Sequence, residues 1–161
     1  MVSKTVKRSE FKTFINTGTL LVPVWSLLGD GVTTAKISYN PETTKEVYIH
    51  QDNGVTSIDS YTPTMPLEAT AKAGDPVFDY VDGLRKARAV LDDALTEIIN
   101  VWMYETGGPT AYPAEKQTVS IQWEDFGGDG GKAAKGNFTI NFLGDPIQGT
   151  FNATTPAFTE A

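Results

Sequence analysis

GDPVFDYVDGLRKARAV, residues 74–90, is the clearest helix in a chain that otherwise reads as strands and turns. Asp75 can cap the free N–H groups of a first turn. Pro76 fits the first helical position, where its missing N–H costs nothing. Val77, Val81 and Leu84 fall three or four apart, with the Arg88 stem extending the stripe and Phe78 widening it. Asp79 and Asp82 sit early and Arg85, Lys86 and Arg88 late, matching the helix dipole. One amphipathic helix among strands must bury its stripe against a sheet. The expected fold is therefore mainly β, an antiparallel β-sandwich or partial barrel carrying one packed α-helix.

Leu91, Leu95, Ile98 and Trp102 also sit at helical spacing, which would allow one long helix to Tyr104. EIINVWMY at 97–104 is instead dense in β-branched and aromatic residues, and Asp92-Asp93 gives the chain a place to turn. This strand is apolar on both faces, so it is either central or paired across an interface. QTVSIQWED at 117–125 alternates cleanly, with Val119, Ile121 and Trp123 opposite Ser120, Gln122 and Glu124. GNFTINF at 136–142 repeats the pattern, Gly144-Asp145-Pro146 reads as a turn, and 148–153 as a last short strand. The C-terminal third is expected to be an antiparallel meander.

On the N-terminal side, TLLVPVWSLL at 19–28 reads as a buried strand bent at Pro23. Residues 35–39 form a strand stopped by Asn40-Pro41. KEVYIH at 45–50 and VTSIDSY at 55–61 flank Asp52-Asn53-Gly54, which predicts a hairpin closed by a tight type I′ turn. It has few large apolar residues beyond its base and is expected to project. Residues 62–68, with two prolines, bring the chain to the helix.

The chain has 161 residues, no cysteine and a net charge of −7. That length suits a single domain over 1–161, with an N-terminal arm at about 1–18 and the projecting hairpin at about 45–61. Without cysteine there is no disulfide framework, thiolate metal site or cysteine nucleophile. No signal peptide is read at the N-terminus, and the run 20–28, interrupted by Pro23, is too short to span a bilayer. The expectation is a soluble protein with no membrane insertion. Charge is uneven: Lys4, Lys7, Arg8 and Lys12 face only Glu10 within residues 1–12, while the rest holds nine basic and nineteen acidic side chains. An acidic body disfavours nucleic acid and anionic membranes, and the basic arm on it is either a frayed, solvated terminus or a contact for another copy of the protein.

Catalytic patterns are missing. His50, the one histidine, lies beside the expected hairpin tip without an orienting carboxylate or nucleophile. Asp125-Phe126-Gly127 matches the kinase metal triplet, but no other part of that apparatus is present. Asp125 and Asp129 lack the ligand spacing of a calcium loop. GGDGGK at 127–132 lacks the P-loop spacing. No enzyme, cofactor or metal site is expected.

In order, WSLLG at 25–29, Asn40-Pro41, the hairpin around Asn53-Gly54, GDPVFDYVDGLR, AEKQTVSIQWEDFGGDGG at 114–131, GTF at 149–151 and Phe158-Thr159 resemble the major tail tube protein of long-tailed, siphovirus-like bacteriophages. The resemblance covers roughly residues 18–158. It implies a structural virion protein, made in the host cytoplasm, whose six copies close into rings that stack head to tail into a tube. Sheets of neighbouring subunits would join into one β-barrel around the lumen, using strand edges that are otherwise a liability, with 97–104 as the two-faced strand. Lys4, Lys7, Arg8 and Lys12, with Asp52, Asn53 and Gly54, would be the ring-to-ring contacts. Glu97, Glu124 and Asp125 would face the lumen, where double-stranded DNA passes without specific binding. Implied partners are the tail initiator, tape measure and terminator proteins. The alternatives are a contractile-tail or tailocin-like tube protein, a tail terminator, a monomeric β-sandwich adhesion or carbohydrate-binding module, or a nucleic-acid binder using the basic arm.

Overall fold

A computed structural model describes residues 2–161. The strands are β1 (Phe11–Asn16), β2 (Trp25–Leu28), β3 (Val32–Ala35), β4 (Pro41–Glu46), β5 (Val55–Tyr61), β6 (Thr64–Thr70), β7 (Leu95–Trp102), β8 (Tyr112–Gly127), β9 (Lys135–Asn152) and β10 (Ala157–Glu160), with helix α1 (Pro76–Ala87). Eight strands form one antiparallel sheet in the order β2-β1-β7-β8-β9-β6-β3, with β10 added to the far half of β9. β2 and β3 stand at opposite ends of that order, yet only the turn at Gly29–Gly31 separates them. The sheet is therefore curled into a partial barrel. β4 and β5 pair only with each other, as a separate hairpin.

α1 begins where the sequence places it, with the Asp75 carboxylate accepting from the Phe78 N–H at 3.0 Å. It ends earlier than expected, because Arg88 turns left-handed (φ 48°) and its N–H folds back to the Arg85 carbonyl. Arg88 thus leaves the apolar stripe and is exposed. Val77 and Val81 are buried against Met65, Leu67, Phe138 and Ile140 in the inner core, with Leu84 and Tyr80 beside them. Each fully buried aliphatic side chain contributes about 1.5–3 kcal/mol. The Trp123 Nε1–H donates to the Val81 carbonyl at 2.8 Å, fixing helix to sheet. Gly136 lies under that indole, where any Cβ would strike the ring.

β7 is central. β1 pairs along one edge and β8 along the other. Ile98 points into the inner core, while Ile99 and Val101 join Phe14, Ala114 and Phe151 in a smaller core on the other face. Its two apolar faces are thus both covered within one subunit, and the expectation that 97–104 supplies a joining edge is corrected.

Other elements also differ from expectation. β1, hidden in a basic segment, is a buried strand, so Lys12 belongs to the sheet. Residues 19–24 are an exposed loop in place of a strand, looped back by the Asn16 side chain, which accepts from Gly18 and Val24 N–H. β3 precedes the strand expected at 35–39. β6 is a strand despite Pro66, since Met65, Leu67 and Ala69 alternate inward. β9 runs through Gly144-Asp145-Pro146 as a bulge instead of turning there.

Truncating Phe138, 1% exposed, to alanine should cost about 3–5 kcal/mol. A urea unfolding curve that loses under about 1 kcal/mol would contradict this packing. Asp82 ion-pairs with Arg85 at 2.6 Å and Lys86 at 2.9 Å. Burial opposes its charge, but the two cations outweigh it and hold the carboxyl below its ordinary 3.8. A lowered native pKa stabilises above the unfolded value and is lost as pH falls through the native one. Asp82→Asn should therefore cost about 1 kcal/mol at pH 7, with the gap to wild type closing below about pH 4 in thermal melts.

Candidate assembly surfaces

The N-terminal basic residues occupy two environments. Lys4 Nζ pairs with Glu10 at 2.7 Å, and the Lys7 N–H donates to the same carboxylate at 2.8 Å. Hydrogen bonding from Lys4, then from Lys7, holds the Glu10 carboxyl below its ordinary value. Arg8 is tied to the body, donating to the Phe11 carbonyl at 2.6 Å and across the barrel seam to Ala35 at 3.1 Å. It thereby staples β1 to β3. Lys12 lies half-buried on β1, opposite Val101. Residues 2–7 have no regular structure and are all exposed, held at Glu10 by the Lys4 and Lys7 contacts.

The hairpin is exposed along its length. Its pairing runs from Pro41 opposite Tyr61 to Glu46 opposite Val55. The connection is therefore residues 47–54, and a tight Asn-Gly turn is not formed, since neither Asn53 nor Gly54 has positive φ. Asp52, Asn53 and Gly54 sit exposed in that loop. The sequence reading missed its apolar tip: Val47, Tyr48 and Ile49 are exposed, although KEVYIH spells them out. The root is lashed by Asn40, whose Nδ2 donates to the Thr62 carbonyl at 3.1 Å, and by Tyr39 and Tyr61, edge to face at 6.4 Å.

The three acidic candidates are not brought together. Glu97 is half-buried, 3.6 Å from Lys116 Nζ. Glu124 and Asp125 lie about 20 Å further along β8, at about 3.3 Å per residue. Both are exposed, Glu124 beside Gln122 and Asp125 accepting from Asn137 Nδ2 at 2.8 Å. Around them the outer face of β8, β9 and β6 is polar, with Ser120, Gln122, Thr139 and Asn141 pointing outward. Gln122 and Asn141 hydrogen-bond there at 3.1 Å.

Several strand edges stay open. Among the described residues β7 starts at Leu95, opposite Ser120, so Ile121–Gly127 of β8 has no paired strand on that side. The outer edge of β10 is likewise unpaired. A second apolar loop is exposed at Leu20, Leu21 and Val22. Among the described residues no group of three or more acidic, histidine or cysteine side chains could hold a metal, and no helix is long and apolar enough to cross a membrane.

Because the hairpin tip contributes nothing to either core, replacing residues 47–54 by Asn-Gly should change unfolding free energy by less than about 0.5 kcal/mol. A larger loss in urea titration would mean that the loop supports the body.

No family model matches the chain, and no curated protein gives a significant sequence match. Solved structures do match. One chain in the tail of an empty GTA particle, refined with C6 symmetry, superposes with a TM-score of 0.63 at 12% identity, covering 96% of this chain and 99% of that one. A chain in the six-fold symmetrised baseplate of the anti-feeding prophage gives 0.51 at 9% identity, covering 92% and 97%. A chain in the sheath/tube terminator structure of PVC, an extracellular contractile injection system, gives 0.51 at 12%, covering 92% and 99%. At such identities the shared property is the fold, and it extends over nearly the whole of each chain.

Proposed function

We propose that this chain is a ring subunit of a phage-type tail tube. The observation that carries the reading is the end-to-end match, in both directions, to a chain of a six-fold symmetric tail. Six copies would close into a ring through open strand edges, such as Ile121–Gly127, and rings would stack head to tail. Such a head-to-tail contact builds an open filament where a self-complementary one would stop at a dimer. The hairpin, with Asp52, Asn53 and Gly54, and the arm, with Lys4 and Lys7, are the ring-to-ring contacts in this reading. The role is physical, with no catalytic step. The protein would be made in the bacterial cytoplasm and reside in the virion tail, beside initiator, tape measure and terminator proteins.

The polar outer face of β8, β9 and β6 is the proposed lumen wall, which keeps Glu124 and Asp125 as lumenal candidates and leaves Glu97 out. Duplex DNA carries one negative charge per roughly 1.7 Å of axis. An acidic wall repels it within a Debye length of about 8 Å, so DNA would slide without sticking. A contractile-particle tube or terminator is the second reading, favoured by the matches to the anti-feeding prophage and PVC structures. Co-purification of a sheath would select it over a non-contractile tail.

Negative-stain electron microscopy of concentrated protein tests the proposal. Intact chain should give rings or tubes, and removal of residues 1–7, which spares Arg8 and β1, should reduce them. A monomer at every concentration would overturn the reading. In assembled particles, Glu124→Lys with Asp125→Lys should slow DNA ejection several-fold, and unchanged ejection kinetics would remove this face from the lumen.

A further inference from the structure

We propose that the mouth of the partial barrel opposite α1 is the docking groove for the basic N-terminal arm of a second copy, an inference that rests on the self-assembly reading above. α1 closes one end of the inner face, at Trp123 and Phe138. At the other end, six residues back along β8, a groove of about 780 Å³ lies between the sheet and the hairpin root. Tyr39, Tyr61 and Phe142 give it apolar walls, and Asp59, Glu115 and Asp145 bring carboxylates to it, with no lysine or arginine in the lining. None of these carboxylates is in an ion pair among the described residues. Asp59 accepts from the Thr44 hydroxyl and Glu115 from Gln148 Nε2 at 3.1 Å, which neutralise neither charge.

Asn100 also lines the groove and is 1% exposed. Its Oδ1 accepts from Thr13 Oγ1 at 2.9 Å. The site thus asks for an extended segment with cations and small apolar side chains.

Residues 2–7, VSKTVK, have that chemistry: they carry two lysines and no acidic residue, are exposed, and are held at Glu10 by Lys4 Nζ and the Lys7 N–H. In an extended backbone Val2, Lys4 and Val6 fall on one side. The two valines would lie on the tyrosine and phenylalanine rings, and Lys4 would meet the carboxylates in place of its partner Glu10. Aromatic walls add cation–π attraction. Six extended residues span about 20 Å, enough to cross a groove of this size. Residues 2–7 do not line the groove of their own chain.

The test reverses the charge of each half. Asp59→Lys with Asp145→Lys should raise the concentration needed for assembly about tenfold or more, since like charges brought together at an interface cost several kcal/mol. Adding Lys4→Glu and Lys7→Glu to the same chain should restore it to within about threefold of wild type. Thermal melts of both variants check that the body is folded. Because the chain has no cysteine, a Lys4→Cys chain mixed with an Asp145→Cys chain should form a mixed disulfide dimer under oxidation. Assembly unchanged by charge reversal, or no mixed disulfide from chains that assemble, overturns the docking while leaving the tube reading standing. A closed monomer from one chain carrying both Lys4→Cys and Asp145→Cys overturns it too, assigning the groove to the chain's own arm. Wild type that never assembles overturns the tube reading itself.

Discussion

β7 is the constraint on which the rest depends. An eight-residue strand buried on both faces needs a hydrophobic layer on each side and a paired strand on each edge. Those four demands organise the molecule. β1 and β8 satisfy the edges. The curled sheet with α1 covers Ile98, and Phe14 with Phe151, ring centroids 4.5 Å apart, covers Ile99 and Val101. The curl then follows, because β9 and β6 can reach the inner core only by wrapping around it, and the chain returns through Gly29–Gly31 to close the seam.

What the core does not need is left outside, and that division separates folding from assembly. The hairpin, residues 2–7 and the 20–22 loop carry no core side chain, and the backbone edge of β8 at Ile121–Gly127 lacks a paired strand on one side. They hold instead exposed apolar tips, unpaired backbone and uncompensated charge. A monomer built to remain one would blunt such edges and cover such patches. Leaving them open suits a protein whose partner is itself.

The helix was legible because capping chemistry is local: Asp75, Pro76 and the late cations act within a few residues. The strand character of β7 was legible in composition alone, and β8 in its alternation. β1 was hidden because Lys12 lends it the look of a solvated arm, although Phe14 and Ile15 belong to two different cores. β6 was hidden by Pro66, whose missing N–H is tolerated where the inward alternation of Met65, Leu67 and Ala69 dominates. The hairpin was found, but its closure was not. Asn53-Gly54 is a strong short-range turn signal, and the pairing of Pro41 with Tyr61 overrode it. Among the candidate assembly surfaces, the arm and hairpin were visible as charge and projection. The groove was not, because Asn100, Glu115 and Asp145 are far apart in sequence and meet only when the sheet curls and β9 bulges.

Hydrogen–deuterium exchange on free and concentrated protein tests most directly the claim that core and assembly surfaces are separate. Amides of β1, β7 and β8 up to Ser120 should be protected in both states. Amides of the hairpin, of residues 2–7 and of the β8 edge at Ile121–Gly127 should exchange fast in the free subunit and slow markedly once copies associate. Equal protection of hairpin and β7 in the free chain, or no change on association, would contradict the account.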